Sequence, residues 1–192
     1  MTTQDMTTEA KVHAAREILR QKAIREFDEP IELASGKMST LFIDGKAGLA
    51  EAADLRVACA AIHALVTDAG LFYDAVGGPT LGADHLAVGC AYASGRSWFF
   101  VRKEPKGRGT GRQIEGAEVG EGVKVLLVED VVSTGGSMIK ALDVIDATGA
   151  EVVAAATLID RGDTATAAFA DRGIPYFCLG TYVDFGWDPV GS

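Results

Sequence analysis

Glu129 and Asp130 are the two residues best placed to do chemistry. They stand side by side at the end of an apolar run, Val125-Leu-Leu-Val128, and are followed by Val131-Val132 and the turn Ser133-Thr-Gly-Gly-Ser137. A carboxylate left alone at the edge of a buried strand is costly, so a pair of them calls for a partner. The turn behind them offers a different chemistry. Ser133, Thr134 and Ser137 bring hydroxyl donors, and Gly135 and Gly136 let a ligand come close to the backbone. Residues 138–147 read as an amphipathic helix, whose first N–H groups and positive dipole end attract an anion. A nest for phosphate beside a carboxylate pair for hydroxyls or a hydrated Mg²⁺ fits a phosphorylated sugar. An ordinary strand–turn–helix explains the apolar run and the glycines, but not the adjacent charges.

Three further segments carry polar groups at strand ends. Gly77-Gly-Pro-Thr-Leu-Gly-Ala-Asp84 is a glycine-rich turn, and backbone amides around Gly78, Pro79 and Thr80 suit a pyrophosphate. A tight strand-to-helix turn would use the same glycines. Val101-Arg-Lys-Glu-Pro-Lys-Gly-Arg-Gly-Thr-Gly-Arg112 holds Arg102, Lys103, Lys106, Arg108 and Arg112 against the single acid Glu104. It reads either as a solvated basic loop or as a lid with glycine hinges that closes on an anionic substrate. The lid is the better reading, and the glycine spacing does not match a dinucleotide site. Arg161 ends another apolar run, where its planar fork could grip a carboxylate on a substrate. In isolation, a surface ion pair with Asp160 or Asp163 explains Arg161 better.

Alternating strands and helices must hold these pieces. Apolar spacing predicts helices over 8–25, 50–69, 81–92, 137–147 and 164–172, and strands over 30–33, 40–44, 73–76, 98–101, 123–128, 152–159 and 176–179. The first two strands flank Ser35-Gly36 as a hairpin. From residue 50 the alternation predicts a parallel sheet covered on both faces, with ligands at the C-terminal strand ends. Gly77-Gly-Pro79, Arg102-Lys103, Glu129-Asp130 and Asp160-Arg161 should therefore meet on one edge. Trp98 reads as core, His13 and His63 as structural, and His85 as lying behind the pyrophosphate turn. The first ten or so residues are expected to be disordered.

Bulk properties narrow the function further. The 192 residues suit one domain, and 48% hydrophobic with 23% charged residues is the balance of a soluble globular protein. The net charge of −9 argues against nucleic acid as a partner. No apolar stretch is long enough to span a bilayer, and the N-terminal residues lack a secretory pattern. Cys59, Cys90 and Cys178 have no ligand spacing and read as reduced core thiols in a cytoplasmic protein.

The 125–137 segment resembles the PRPP-binding motif of type I phosphoribosyltransferases through all its positions. From about residue 10 to 190 the chain is similar to the orotate phosphoribosyltransferase family. The likeness rests on Ile31-Glu-Leu-Ala-Ser-Gly-Lys-Met-Ser-Thr-Leu-Phe-Ile-Asp44, on 77–84, on 101–109, on the PRPP motif and on Ile159-Asp-Arg161. It implies a type I phosphoribosyltransferase fold in one domain, with a hood over about 10–46 and a core over about 47–180. It also implies transfer of the phosphoribosyl group from PRPP to orotate, with Mg²⁺, in a homodimer whose 102–112 lid closes over the neighbouring site. In that reading Glu129 and Asp130 take the ribose hydroxyls and, through water, Mg²⁺. Residues 133–137 take the 5′-phosphate. Arg102, Lys103, Lys106 and Arg108 take pyrophosphate, and Arg161, Ser133 and Lys37 face orotate. Lys103, Lys106 and Asp130 are the catalytic candidates.

The chain departs from the family pattern at two places. Arg108 stands where a His is common, and Ala34 stands where many bacterial members have Lys, a charge that Lys37 or Lys46 could supply. Transfer to another nucleobase, or a non-catalytic PRPP sensor, are the alternatives. A sensor would need a DNA-binding module, for which this chain has neither the length nor the charge.

Overall fold

The protein is seen here as a computed structural model that describes residues 5–32, 38–105, 112–162 and 164–187. In chain order it runs α1 (Thr8–Lys22), β1 (Ile24–Glu32), β2 (Met38–Ile43), the single turn α2 (Gly45–Gly48), α3 (Ala52–Asp68), β3 (Ala75–Pro79), α4 (Asp84–Ser94) and β4 (Ser97–Val101). It continues with β5 (Ile114–Gly116), β6 (Lys124–Val132), α5 (Gly136–Asp146), β7 (Glu151–Asp160), α6 (Thr164–Ala170), β8 (Tyr176–Thr181) and a 3-10 turn at Val183–Phe185.

Six strands form one sheet in the order β5-β4-β3-β6-β7-β8, parallel except for the edge strand β5. Side chains alternate across it, as strand geometry requires. Leu126 and Val128 of β6 join a core with Leu19 of α1, Ile62 of α3 and Leu86 of α4. Val125 and Leu127 face the other way, onto Met138, Leu142 and Ile145 of α5 and Phe169 of α6. This is the α/β architecture that the alternation of elements implies, a largely parallel sheet flanked by helices. β1 and β2 form a separate antiparallel hairpin.

The strand order fixes where a ligand can sit. From β3 the chain moves outward through α4 to β4, whereas from β6 it moves the opposite way through α5 to β7. The two directions diverge between β3 and β6, so their following turns part and leave a crevice at the C-terminal ends, the usual ligand position in such sheets.

Several element bounds differ from those the sequence predicts. β1 begins at Ile24, not at residue 30, because α1 stops at Ala23, whose carbonyl accepts the Asp44 N–H at 2.8 Å. The chain is helical from Thr8, with the Thr7 hydroxyl accepting from Ala10 N–H at 3.2 Å, so the expected disorder of the first ten residues does not extend that far. α4 starts at Asp84 rather than 81. β6 runs on through both acids to Val132. Trp98 is not core: it is 39% exposed and leans on Phe100 with ring centroids 4.7 Å apart. Cys59 and Cys90 are buried free thiols, as expected, while Cys178 is only partly buried. His63 is structural, with Nδ1 2.9 Å from the Tyr73 hydroxyl, whereas His13 is exposed on α1.

Candidate active site

The carboxylate pair is held from three sides. The Asp130 carbonyl accepts from the Thr157 hydroxyl of β7 at 3.1 Å, which locks the end of β6 to its neighbour. Val131 N–H donates to Asp130 Oδ1 at 2.7 Å, and Lys46 Nζ sits 2.9 Å from Asp130 Oδ2. Glu129 is 6% exposed. Burial, and then the charge of Asp130 beside it, pushes the Glu129 carboxyl up to about 8. The two acids thus sit in unlike surroundings, Glu129 buried and Asp130 facing Lys46.

Glycine makes this crowding feasible. A Cβ on Gly82 would lie against Glu129 Oε1, well inside van der Waals contact, and 2.9 Å from Asp130 Oδ1. A Cβ on Gly45 would meet Asp130 Cβ at 3.2 Å. The turn after β3 and the turn α2 can therefore both press against the acids. Gly77 and Gly78 serve another purpose. They lie inside β3, buried between β4 and β6, where added Cβ atoms would strike the backbones of Phe99 and Val128. Of the predicted pyrophosphate turn, Gly78 and Pro79 are thus strand residues, and Gly78 permits close strand packing. The Thr80 N–H is taken by the Val101 carbonyl at 2.9 Å. The open part of the turn is Leu81 and Gly82, after a cis Thr80–Leu81 peptide.

Two cavities meet at the acids. One of about 440 Å³ is lined by Phe42, Ile43, Lys46, residues 129–138 and Arg161. It contains the whole predicted nest: Ser133, Thr134, Gly135, Gly136 and Ser137. Gly135 precedes α5 at φ 76°, a left-handed conformation suited to glycine, and no side chain caps the helix start. The first-turn amides therefore have no side-chain partner, as an anion site requires. The second cavity, about 660 Å³, shares Lys46, Glu129, Asp130, Val131 and Ser137 and adds Pro79, Thr80, Leu81, Gly82, Arg102, Lys103 and Lys140. Four cations line it beside Glu104 and the acid pair, and the excess of positive charge fits a polyanion.

Arg161 is buried at 8% exposure, not a surface residue. Its guanidinium lies 5.3 Å over the Tyr182 ring, and Nε and Nη2 have no hydrogen-bond partner. Two unpaired buried donors at the wall of the first cavity are a ready fork for a ligand carboxylate. Arg102 and Lys103 stand at the foot of the basic loop. The Gln113 side chain donates to the carbonyls of both, at 2.9 and 3.3 Å, and Arg102 N–H donates to the Gln113 carbonyl at 2.8 Å. The loop therefore leaves β4 and returns to β5 through stitched ends. β5 is a strand the sequence pattern did not reveal. Arg102 also faces Glu115 at 3.6 Å, an exposed pair of little energetic weight. Lys37, Lys106 and Arg108 lie outside the described residues.

Sequence reasoning placed Lys46 only as a spare charge for the base and did not see it on Asp130. The contact spans 84 positions, and no local signal announces it. It likewise missed Phe42 and Ile43 at the cavity wall, and Lys140 on α5. His85 does lie behind the turn, with its Nε2 buried and unpaired and its pKa lowered by burial.

Residues 82–188 match the family profile described as a phosphoribosyl transferase domain. The orotate phosphoribosyltransferase of Corynebacterium glutamicum is 36% identical over 188 residues, covering 97% of this chain and 99% of that protein. The chain belongs to the orotate phosphoribosyltransferase family. The orotate phosphoribosyltransferase of Thermococcus gammatolerans is 40% identical over 144 residues, covering 75% of this chain and 76% of its own length. A crystal structure of Mycobacterium tuberculosis H37Rv orotate phosphoribosyltransferase in complex with PRPP superposes with a TM-score of 0.75. That pair is 31% identical over 92% of this chain and 99% of the other. As a member of the orotate phosphoribosyltransferase family, the protein is a pentosyltransferase.

Proposed function

We propose that this protein transfers the 5-phosphoribosyl group of PRPP to orotate, giving orotidine 5′-monophosphate and pyrophosphate. One observation carries the reading: the carboxylate pair, the uncapped helix start with its hydroxyl-lined turn, and the unpaired Arg161 fork all border one cavity. The 133–137 nest takes the 5′-phosphate, and Glu129 and Asp130 take the ribose hydroxyls. Arg161 receives the orotate carboxylate, with Phe42 and Ile43 of the hairpin as the wall over the base.

Breaking the bond from ribose C1 to pyrophosphate develops positive charge on the ring and negative charge on the leaving oxygens. Arg102 and Lys103, with Lys106 from the lid, stabilise the departing charge from fixed positions. Orotate binds as an anion, so orientation against C1 supplies much of the remaining acceleration. Among the described residues no group of three His, Cys, Asp or Glu could cage a metal. Two oxygen-donor side chains at the rim of a polar cavity fit a hydrated Mg²⁺ held mainly by PRPP, with Glu129 and Asp130 reaching it through water. Bound there, the ion would neutralise charge on the diphosphate.

The same reading has a single domain, with a hood over about 10–46 and a core over about 47–180. It has a cytoplasmic homodimer in which the 102–112 lid reaches the partner's site. The stitched foot of the loop supports the lid and the free thiols support a cytoplasmic location; among the described residues no helix is long and apolar enough to cross a membrane. The test is a panel of orotate, uracil, adenine and hypoxanthine, each with PRPP and Mg²⁺, followed by ultraviolet absorbance and pyrophosphate release. Orotate alone should be consumed, one pyrophosphate per base. Consumption of another base with orotate untouched would overturn the proposal.

A further inference from the structure

Both carboxylate oxygens of Asp130 already accept one hydrogen bond each. Oδ1 is occupied by Val131 N–H at 2.7 Å and Oδ2 by Lys46 Nζ at 2.9 Å. The carboxylate side chain is only 13% exposed, whereas that of Lys46 is 55% exposed. The buried member of the pair is fixed by strand, sheet and Gly45, and the exposed member sits on a flexible four-carbon stem with three donors. If one of them moves, it is Lys46.

The walls of the site say where it can go. Lys46 borders both cavities, the nest side and the cation-lined side. Gly82, in the turn that begins the cation-lined side, lies against Glu129 Oε1 and Asp130 Oδ1, so that turn adjoins the spot Lys46 now occupies. A lysine displaced from Asp130 needs an acceptor of comparable charge, and a diphosphate on Gly82 is the adjacent one.

We infer that Lys46 is an exchangeable counter-ion: it neutralises Asp130 in the empty site and passes to the diphosphate of PRPP when the ribose hydroxyls take Asp130. The inference rests on the PRPP reading of the site. Binding then costs no net uncovering of charge, because the acid exchanges one partner for another while the cation gains a stronger one. Lys46 is thus a substrate-binding residue selective for ligands that carry a diphosphate. A ligand with the ribose and phosphate but no diphosphate, such as orotidine 5′-monophosphate, competes with Lys46 for Asp130 and offers no diphosphate in return.

Calorimetry on Lys46→Met, with PRPP, inorganic pyrophosphate and orotidine 5′-monophosphate as separate probes, tests this. Because Lys46 gives up Asp130 to reach the diphosphate, the variant loses only the difference between the two contacts, and PRPP and pyrophosphate should bind about 3- to 10-fold more weakly, with orotidine monophosphate bound as tightly as by wild type or more so. Lys46→Arg should restore much of the pyrophosphate affinity. Equal weakening of all three probes would mean that Lys46 only holds Asp130 in place, and no weakening of any would mean that it is idle. Either result overturns the inference. Wild type binding none of the probes would instead overturn the PRPP reading. A wild-type crystal structure with PRPP is independent of the variants. It should show Nζ on a diphosphate oxygen, and Nζ still on Asp130 would refute the exchange.

Discussion

Replacing Arg161 by Met should make the free protein more stable and its reaction with orotate far slower. The reasoning starts from burial. Arg161 is 8% exposed, and its Nε and Nη2 are buried without partners. Each unsatisfied donor costs about 1–3 kcal/mol. Against that stands the contact of the guanidinium with the Tyr182 ring at 5.3 Å, worth about 0.5–2 kcal/mol. Met fills a similar channel with an apolar chain and removes both unpaired donors, but it leaves the buried Tyr182 hydroxyl without the guanidinium beside it, so the balance favours the variant by about 1–3 kcal/mol. In a chain of this size that raises Tm by roughly 2–10 °C. The same substitution removes a two-pronged contact to the base carboxylate, and kcat/KM for orotate should fall by roughly 10²- to 10⁴-fold. PRPP affinity should hold. Thermal unfolding and the orotate absorbance assay read the two effects separately. A variant with lower Tm and unchanged kcat/KM would refute the argument, because Arg161 would then be a structural residue satisfied within the fold.

Other expectations follow from the acids and glycines. The Glu129 carboxyl stands at about 8 in the folded protein, against 4.5 as the ordinary value. The folded state therefore holds a proton that the unfolded chain has released. This contribution to stability is complete below about pH 4.5 and lost as pH rises to about 8. Tm against pH should fall across that window in wild type and flatten in Glu129→Gln; parallel curves would contradict it. Gly82→Ala places a methyl group against both carboxylates and should cost roughly 100-fold in turnover with the fold intact, since displaced reacting groups are that costly. Circular dichroism and the transfer assay on one preparation check it. Gly78→Ala drives a methyl group into the Val128 carbonyl inside the sheet. It should therefore fail in folding rather than in catalysis, by at least about 1–3 kcal/mol, as denaturant unfolding would show.

The parts of the site that were legible in the sequence are those built from neighbours along the chain. Residues 125–137 form one strand, one turn and one helix start, so the acids, hydroxyls and glycines needed no distant partner to be read. The alternation of strands and helices likewise announced the sheet and its C-terminal edge. What escaped notice depends on contacts between remote segments. Lys46 meets Asp130 only because Gly45 lets α2 rest on β6, and nothing near residue 46 reports that. Gly77 and Gly78 looked like part of a phosphate turn, yet neighbouring strands on both sides demand them. Trp98 looked like core because sequence alone cannot tell a covered sheet face from one left half open. β5 is three residues long, too short for any period to register.

The central claim is that Glu129, Asp130 and the turn behind them grip PRPP. Titration of purified protein with PRPP in the presence of Mg²⁺, beside the double variant Glu129→Gln with Asp130→Asn, tests it most directly. Wild type should show saturable binding at one site per chain, and the double variant, still folded, should lose most of the affinity. Absence of binding by wild type, or equal affinity in the two proteins, would contradict the account.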